Sequence, residues 1–468
     1  MTLTADGKKN LINILKMFED GYVESALEKI SSLYLLFPDS DILNNNYGVI
    51  LSKIDREDDA IIHFKKAIDL NNRYVSAYNN LGNLLSKKGN VEEALSLFKK
   101  AVKIDSSNED ILYSIALNLS SIQKYHESIT YFNRIISLNN NNAEALNDLG
   151  TVYFTLGKNN QALDNFLKSV NINPNNAEAQ CNVGLVLNLL NRNKEAIPYF
   201  EAAISLSPNF SDALHGLASC YNSIGNKDMA LLYFQKVLEL TPNHIIAKHM
   251  VNSLSGNTPE ESSKDYVTLL FDKYSDHFEY DLVNNLEYNI PNKLRELVDN
   301  LNRDYKSFGK AVDLGCGTGL CGERFKDIVE ELIGIDLSSK MLLKASQKSI
   351  YSFLIHDDII NGIRSIKEIQ DLFICADVFI YLGKLDKLFY EIISKSHKDS
   401  IFVFSIELTE CKDFILQKSG RYAHSNDYIN NLADRYHFNI ESNLNLGIRK
   451  EMGEWIPGSI YALRYMGE

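Results

Sequence analysis

Small and aromatic residues return along the first half of the chain at a fixed interval of 34 positions. Phe64, Phe98, Phe132, Phe166, Phe200 and Phe234 form one column. Gly48, Gly82, Ala116, Gly150, Gly184 and Ala218 form a second, and Ala60, Ala94, Ser128, Ala162, Ala196 and Ala230 a third. Three columns in one register predict a repeat array, each unit a pair of amphipathic helices that buries its apolar face against its neighbours. The small columns let the two helices of a hairpin approach closely, and the Phe column fills the space between hairpins. Pro174, Pro208 and Pro242 fall where a second helix must stop.

This order of small residue, Ala, aromatic and Pro resembles the tetratricopeptide repeat. A degenerate unit with Ala26, Ile30 and Pro38 precedes the six clear ones. Seven units are expected from about Gly7 to about His244, with a capping helix over Ile245–Leu254. One column of the first helices holds Asn46, Asn80, Ser114, Asp148, Asn182 and Gly216. It is similar to the asparagine ladder of the O-linked N-acetylglucosamine transferase repeats, where side-chain amides hold a peptide backbone. An amide both donates and accepts, so it can pair with any peptide group. The resemblance implies a protein or peptide in the concave groove, with homo-oligomerisation through the repeats as the alternative.

The 34-residue period ends at a polar stretch with Gly and Pro, residues 255–263, the composition of a linker. The expected domains are therefore 1–254, a helical repeat superhelix, and 264–468. In the second domain short apolar runs alternate with amphipathic stretches. Ala311–Leu314, Leu332–Ile335, Phe353–Ile355, Leu372–Cys375 and Ile401–Phe404 read as strands of a doubly wound, Rossmann-like parallel sheet covered on both faces. A ligand is then expected beyond the carboxyl ends of the strands.

The first of these strands runs into Asp313–Leu314–Gly315–Cys316–Gly317–Thr318–Gly319. Glycine lets backbone approach a ligand where a Cβ would clash. The spacing GxGxG differs from the GxGxxG of dinucleotide dehydrogenases, which remain the rival reading. The string resembles motif I of class I S-adenosylmethionine-dependent methyltransferases. That resemblance implies S-adenosylmethionine as donor and S-adenosylhomocysteine as product. It implies a donor site built from Asp313, Gly315, Cys316, Gly317 and Gly319, with Asp336 on the ribose hydroxyls and Leu337 beside it. Asp336 could instead cap a helix, but Ser338 can serve that purpose. Met341 is expected to cover the adenine, and Asp358, with Asp357 as fallback, to contact its amino group. Ala376 and Asp377 close the fourth strand and face the transferred methyl. The usual LxPGG turn before the fifth strand is replaced by Lys395–Ser400.

Leu270–Glu279, Leu286–Pro291, Asp377–Gly383 and Ser419–Ser425 resemble strings of a narrower group of tetratricopeptide-repeat methyltransferases. Tyr274 and Phe278 lie on a helix before the glycine motif that is expected either to fold over the donor as a lid or to pack on the core. His424 is the leading candidate for a general base, because a His titrates near neutrality, with a surface-loop or helix-cap role as the alternative. Arg421 is expected to grip an anionic acceptor group, with Tyr422 beside it; His277, Asp377, Tyr381 and Glu407 are further candidates. The absence of an NPPY tetrapeptide favours an oxygen acceptor or an unusual site. The alternative for the whole chain is an interaction scaffold whose donor pocket no longer catalyses.

A net charge of -13 argues against a nucleic-acid partner. The six cysteines form no CxxC pair and no zinc spacing, so no metal is expected. Dispersed thiols, a polar N-terminus and no long apolar run point to the cytoplasm, without a membrane partner.

Overall fold

The structure is a computed structural model. It describes residues 3–274, 279, 282, 286–301, 307–411, 413–451 and 453–467. The chain divides into two compact units, Met1–Ile224 and Gly225–Glu468.

The first unit is helical throughout its described length. After a helix at Ala5–Glu19, second helices of successive hairpins begin at Val23, Glu57, Val91, Tyr125, Asn159 and Asn193. First helices begin at Asp41, Val75, Glu109, Ala143, Ala177 and Ser211. Several of the first helices have a local cause for their start. Ser40, Asn108, Asn142 and Asn176 accept a hydrogen bond from the amide three residues on, which satisfies a donor the helix leaves orphaned. Each reversal also has one: Asp55, Gly89, Gln123, Gly157 and Asn191 share the turn column, and all carry positive φ. The small and aromatic columns meet within each hairpin, so the Phe ring packs against its own first helix as well as filling space between hairpins as expected. A Cβ on Gly82 would lie 2.5 Å from the Phe98 ring, and one on Gly150 2.7 Å from Phe166.

The polar column behaves differently from the expected ladder. Asn80 donates to Asn45 Oδ1 at 2.9 Å, Asn182 to Asn147 Oδ1 at 3.0 Å, and the Tyr113 hydroxyl to Asp148 Oδ2 at 2.5 Å. Ser114 donates to Asn79 and Asn83, Asn46 to the Ile42 carbonyl of its own helix, and Gly216 lies against Phe200. Asn80, Asn182, Asp148 and Ser114 thus tie one repeat to the next, because a half-buried polar group between two helices finds its nearest partner in the adjacent repeat.

The second unit opens with the helices Lys227–Leu240 and Ile245–Ser255, then Lys264–Tyr274 and Ile290–Leu301. Its strands are β1 (Phe308–Leu314), β2 (Val329–Asp336), β3 (Phe353–His356), β4 (Gln370–Cys375), β5 (Ser396–Glu407), β6 (Phe414–Leu416), β7 (Tyr422–His424), β8 (Phe438–Glu451) and β9 (Glu454–Tyr465). Seven form one sheet in the order β3-β2-β1-β4-β5-β9-β8, and β6 and β7 pair as a separate hairpin. β1 to β5 run parallel, whereas β9 is antiparallel to both β5 and β8. The parallel strands are apolar on both sides because both faces are covered. Phe373, Phe402 and Phe404 sit in one core, and Leu372, Ile374 and Val403 in the other. The Lys395–Ser400 string, which lacks the usual turn, itself opens β5.

The polar stretch 255–263, expected as a linker, lies inside the second unit and is bound there. The Glu260 carbonyl accepts the amides of Gly383 and Lys384 at 3.0 and 2.7 Å, and Ser262 donates its amide to the Tyr381 carbonyl at 3.0 Å.

Candidate functional site

The chain runs from β1 outward to β3, then returns to the other side of β1 for β4 and β5. The chain order reverses between β1 and β4, the switch point beyond whose carboxyl ends sheets of this kind bind ligands. The glycine turn after β1 lies there, with Gly315, Gly317 and Gly319 at φ +67, +54 and +95. The Cys316 amide donates to the Ile335 carbonyl at 3.0 Å, which ties the turn to β2. Cys316 is buried, and burial pushes its thiol well up.

Asp336 ends β2. Its Oδ2 accepts the Gly317 amide and its Oδ1 the Ser338 amide, each at 2.8 Å. Burial raises this carboxyl, and the two amides oppose that rise. The helix that follows, Ser339–Gln347, is capped by Ser338, whose hydroxyl accepts from the Met341 amide. Asp336 is therefore not spent as the cap, and each of its oxygens keeps acceptor capacity. The Ser338 hydroxyl also donates to Asp272 at 2.5 Å, bringing the helix Lys264–Tyr274 to the same end of the sheet. Leu337 is half-buried and Ala376 partly so, while Met341 is wholly buried. Met341 thus packs inside the protein.

Asp313 lies beneath the turn. Burial lifts its carboxyl to about 7, against the opposing bond from the Tyr351 hydroxyl at 2.6 Å. Asp358, the preferred adenine contact, is engaged elsewhere. Its Oδ1 caps the helix Ile359–Ser365 by accepting from Ile360 and Asn361, and its Oδ2 receives Lys264 Nζ at 2.6 Å. Asp357 is the more accessible of the two; among the described residues its Oδ1 accepts the Asp358 amide at 2.8 Å and a longer contact from Asn361. His277 and Phe278 and the side chain of Tyr274 lie outside the described residues.

On the β4–β5 side the polar residues form one network. Asp377 follows β4 at φ +55. Its amide donates to Ser405 Oγ, that hydroxyl donates to Asp377 Oδ1, and Oδ2 accepts Arg449 Nη1 at 2.8 Å. Arg449 also pairs with Glu407 and Glu451. Burial pulls its guanidinium down, but the three carboxylates outweigh that and raise it. Arg421 donates from Nε to Glu407 at 2.8 Å and from Nη2 to Glu451 at 2.6 Å. It is held by internal acids, not poised to grip an anionic substrate. Tyr381 and Tyr288 flank the network, and burial drives both phenols upward.

Two other expectations fail for one reason. Tyr422 and His424 lie on β7, buried by its pairing with β6. The Tyr422 hydroxyl donates to the Pro259 carbonyl at 3.0 Å. His424 Nε2 meets the Gly383 carbonyl at 2.9 Å, and its ring packs among Phe379, Phe414 and Tyr428. Burial drops its pKa to about 4. That fixes it as neutral imidazole with Nε2 as donor, a core residue with little appetite for a proton. Sequence reasoning missed Arg449, Glu451, Tyr351 and Lys264. The Arg and Glu pair could have been flagged by alternation: Arg449 and Glu451 share one face of a strand next to an apolar Ile448.

Comparison with known proteins fits this architecture. A methyltransferase domain family matches residues 312–404. Tetratricopeptide repeat families match residues 43–74, 75–108, 109–142, 150–189 and 189–253. The chain carries multiple tetratricopeptide repeats followed by a methyltransferase domain. Similar solved structures include YrrB, described as a TPR protein with an unusual peptide-binding site. It is 29% identical over 40% of this chain and 96% of that one, with a TM-score of 0.36. MamA is 27% identical over 36% of this chain and 92% of that one, with a TM-score of 0.34. A TPR repeat-containing protein from Cytophaga hutchinsonii is 19% identical, covering 51% and 98%, with a TM-score of 0.43. No curated protein matches the chain. Among the described residues no helix is long and apolar enough to cross a membrane, and no group of three or more His, Cys, Asp or Glu residues is placed to hold a metal ion.

Proposed function

We propose that the second unit transfers a methyl group from S-adenosylmethionine, and that the repeats recruit or position the acceptor, a protein or a small metabolite. The observation that carries the reading is Asp336. It stands at the end of β2, braced by two backbone amides and relieved of capping by Ser338, with lone pairs left for two vicinal hydroxyls. The glycine turn supplies bare backbone beside it. Asp313 and Tyr351 support that turn from below, and Asp357 is the accessible carboxylate for the far end of the nucleoside. When bound, the donor supplies an already activated methyl, so the protein's main task is alignment. Asp377, fixed by Ser405 and Arg449, marks where the acceptor arrives. The domain split proposed is functional: repeats up to residue 254, donor chemistry from residue 264.

Photocrosslinking of methyl-labelled donor to the full chain tests this. Label is expected in the peptide spanning residues 312–341 and is displaced by S-adenosylhomocysteine but not by NAD. Displacement by NAD would restore the oxidoreductase reading.

A further inference from the structure

The first helices Glu109–Ser121, Ala143–Thr155, Ala177–Leu189 and Ser211–Ser223 each bury one face against neighbouring helices and leave the other open. The open stripe follows helical spacing: Glu144, Asp148, Thr151 and Phe154 on one helix, Glu178, Asn182, Leu185 and Leu189 on the next. Along the array, first helices approach one another more closely than second helices do. The stripes therefore lie side by side on the inner side of the curved stack. Each begins with an exposed acid: Asp110, Glu144, Glu178 or Asp212. Toward the other helix ends stand exposed apolar side chains, Leu117, Phe154 and Leu189, at 42%, 39% and 52%. Side by side, the stripes give the surface an acidic edge and an apolar edge.

No Lys or Arg occurs in these four helices. Acids in a first turn suit a helix N-terminus on their own account. The second helices of the same repeats, however, combine Glu127 and Glu195 with Arg134, Lys168 and Lys194. Charge is thus segregated by face, and no cation of the first helices offsets the inner acids. Burial first, then Glu144 and Glu178, raise the Asp148 carboxyl against its bonds from Tyr113 and Asn147. Acids of adjacent repeats therefore act on one another. An exposed apolar row beside an unneutralised acidic row is complementary to one kind of partner.

We infer that the inner face of these four repeats docks a cationic, amphipathic polypeptide segment. Its Lys or Arg side chains lie along the acidic edge and its apolar side chains along the apolar edge. This names the partner for the recruiting role proposed above, and rests on that reading only for the purpose the docking serves. Packed helices stand about 8–10 Å apart. An extended segment with three residues per turn rises about 3.1 Å per residue, so a cation at every third residue meets one acid per repeat. An anionic partner is repelled by the same row, and a plain polyamine leaves the apolar row in water.

The test uses the full chain and fluorescein-labelled peptides of repeated Lys-Ala-Leu, Glu-Ala-Leu or Lys-Ala-Ser triplets, read by fluorescence anisotropy. The Lys-Ala-Leu peptide is expected to bind once per chain and to weaken as salt is raised. The Lys-Ala-Ser peptide is expected to bind more weakly and the Glu-Ala-Leu peptide not at all. Glu144→Gln combined with Glu178→Gln should weaken Lys-Ala-Leu by about tenfold at an unchanged melting temperature. Phe154→Ser, a second and uncharged variant, should narrow the gap between Lys-Ala-Leu and Lys-Ala-Ser. Asp164→Asn, on the second helix Asn159–Ile172, should leave the affinity as it is. Equal binding of Glu-Ala-Leu or Lys-Ala-Ser, no binding of any peptide, full displacement by spermine, or unchanged affinity in the double variant overturns the inference. None of these measurements needs the donor. Failure of the chain to bind S-adenosylhomocysteine would remove the donor reading and leave the docking inference standing.

Discussion

The hydroxyl of Tyr351 donates to Oδ2 of Asp313 across 2.6 Å, joining the segment before β3 to the end of β1 beneath the glycine turn. The contact exists because position 322 is glycine: a Cβ there would lie 2.5 Å from that hydroxyl. Asp313 is buried, and its carboxyl is lifted to about 7. A raised carboxyl binds a proton more tightly in the folded than in the unfolded chain. Its contribution to stability is complete below the unfolded pKa near 3.8 and is lost as pH rises through about 7. Asp313→Asn should remove that loss, so the variant gains on the parent by up to about 4 kcal/mol between pH 4 and pH 8. Urea denaturation across that range measures it, and a constant offset between the two proteins would contradict the buried acid.

His424 works in the opposite sense. Its pKa is depressed from 6.5 to about 4 by burial, so the unfolded chain binds the proton first. The stability it supports is present above pH 6.5 and is lost as pH falls toward 4, by about 3 kcal/mol. His424→Gln keeps a donor for the Gly383 carbonyl and should flatten this acid limb. It should also leave the pH profile of turnover unchanged, since the ring is no base. A profile that loses its ascending limb in the variant would return His424 to the chemistry.

The repeat columns make a prediction about glycine. Gly82→Ala puts a methyl 2.5 Å from the Phe98 ring and should cost about 1–3 kcal/mol through overpacking. Gly89→Ala meets no atom within 4 Å but sits at φ +85, so its cost is purely backbone, about 1–2 kcal/mol. Adding Phe98→Leu should recover much of the first loss and none of the second. Thermal melts of the single and double variants distinguish them.

Arg449 is the keystone of a buried network, so its loss is expected to be severe. Arg449→Met leaves Asp377, Glu407 and Glu451 without their shared partner and should destabilise by about 3–5 kcal/mol. Arg449→Lys retains a charge but not the fork that reaches three acids. It should fold, keep donor affinity and lose kcat, which chemical denaturation and single-turnover kinetics resolve separately.

The repeats were legible because their columns recur in the chain itself, and Gly82 against Phe98 needs no distant partner to be understood. The places of Asp313, the glycines and Asp336 at strand ends and in a turn were legible because those features are local. Two kinds of residue were not. Arg449 reaches Asp377, and Glu451 reaches Arg449 and Arg421, only because β9 doubles back and lays β8 at the sheet edge, a pairing the strand pattern alone does not specify. His424 and Tyr422 looked like loop chemistry because they sit among Ser, Gly and Arg. The three-residue pairing of β6 with β7 turns those polar groups inward, where Pro259 and Gly383 carbonyls take up their donors. Asp358 misled in a third way: a carboxylate at the end of a strand is also the first residue before a helix, and here the cap and Lys264 claim it.

The central claim is that Asp336 holds the sugar of a sulfonium nucleoside beside the glycine turn. Calorimetric titration of S-adenosylhomocysteine into the full chain and into Asp336→Ala tests it most directly. The account predicts one site per chain, weakened in the variant by about tenfold or more, the worth of charge-assisted hydrogen bonds. Equal affinity in the two proteins, or no heat with either, would contradict it.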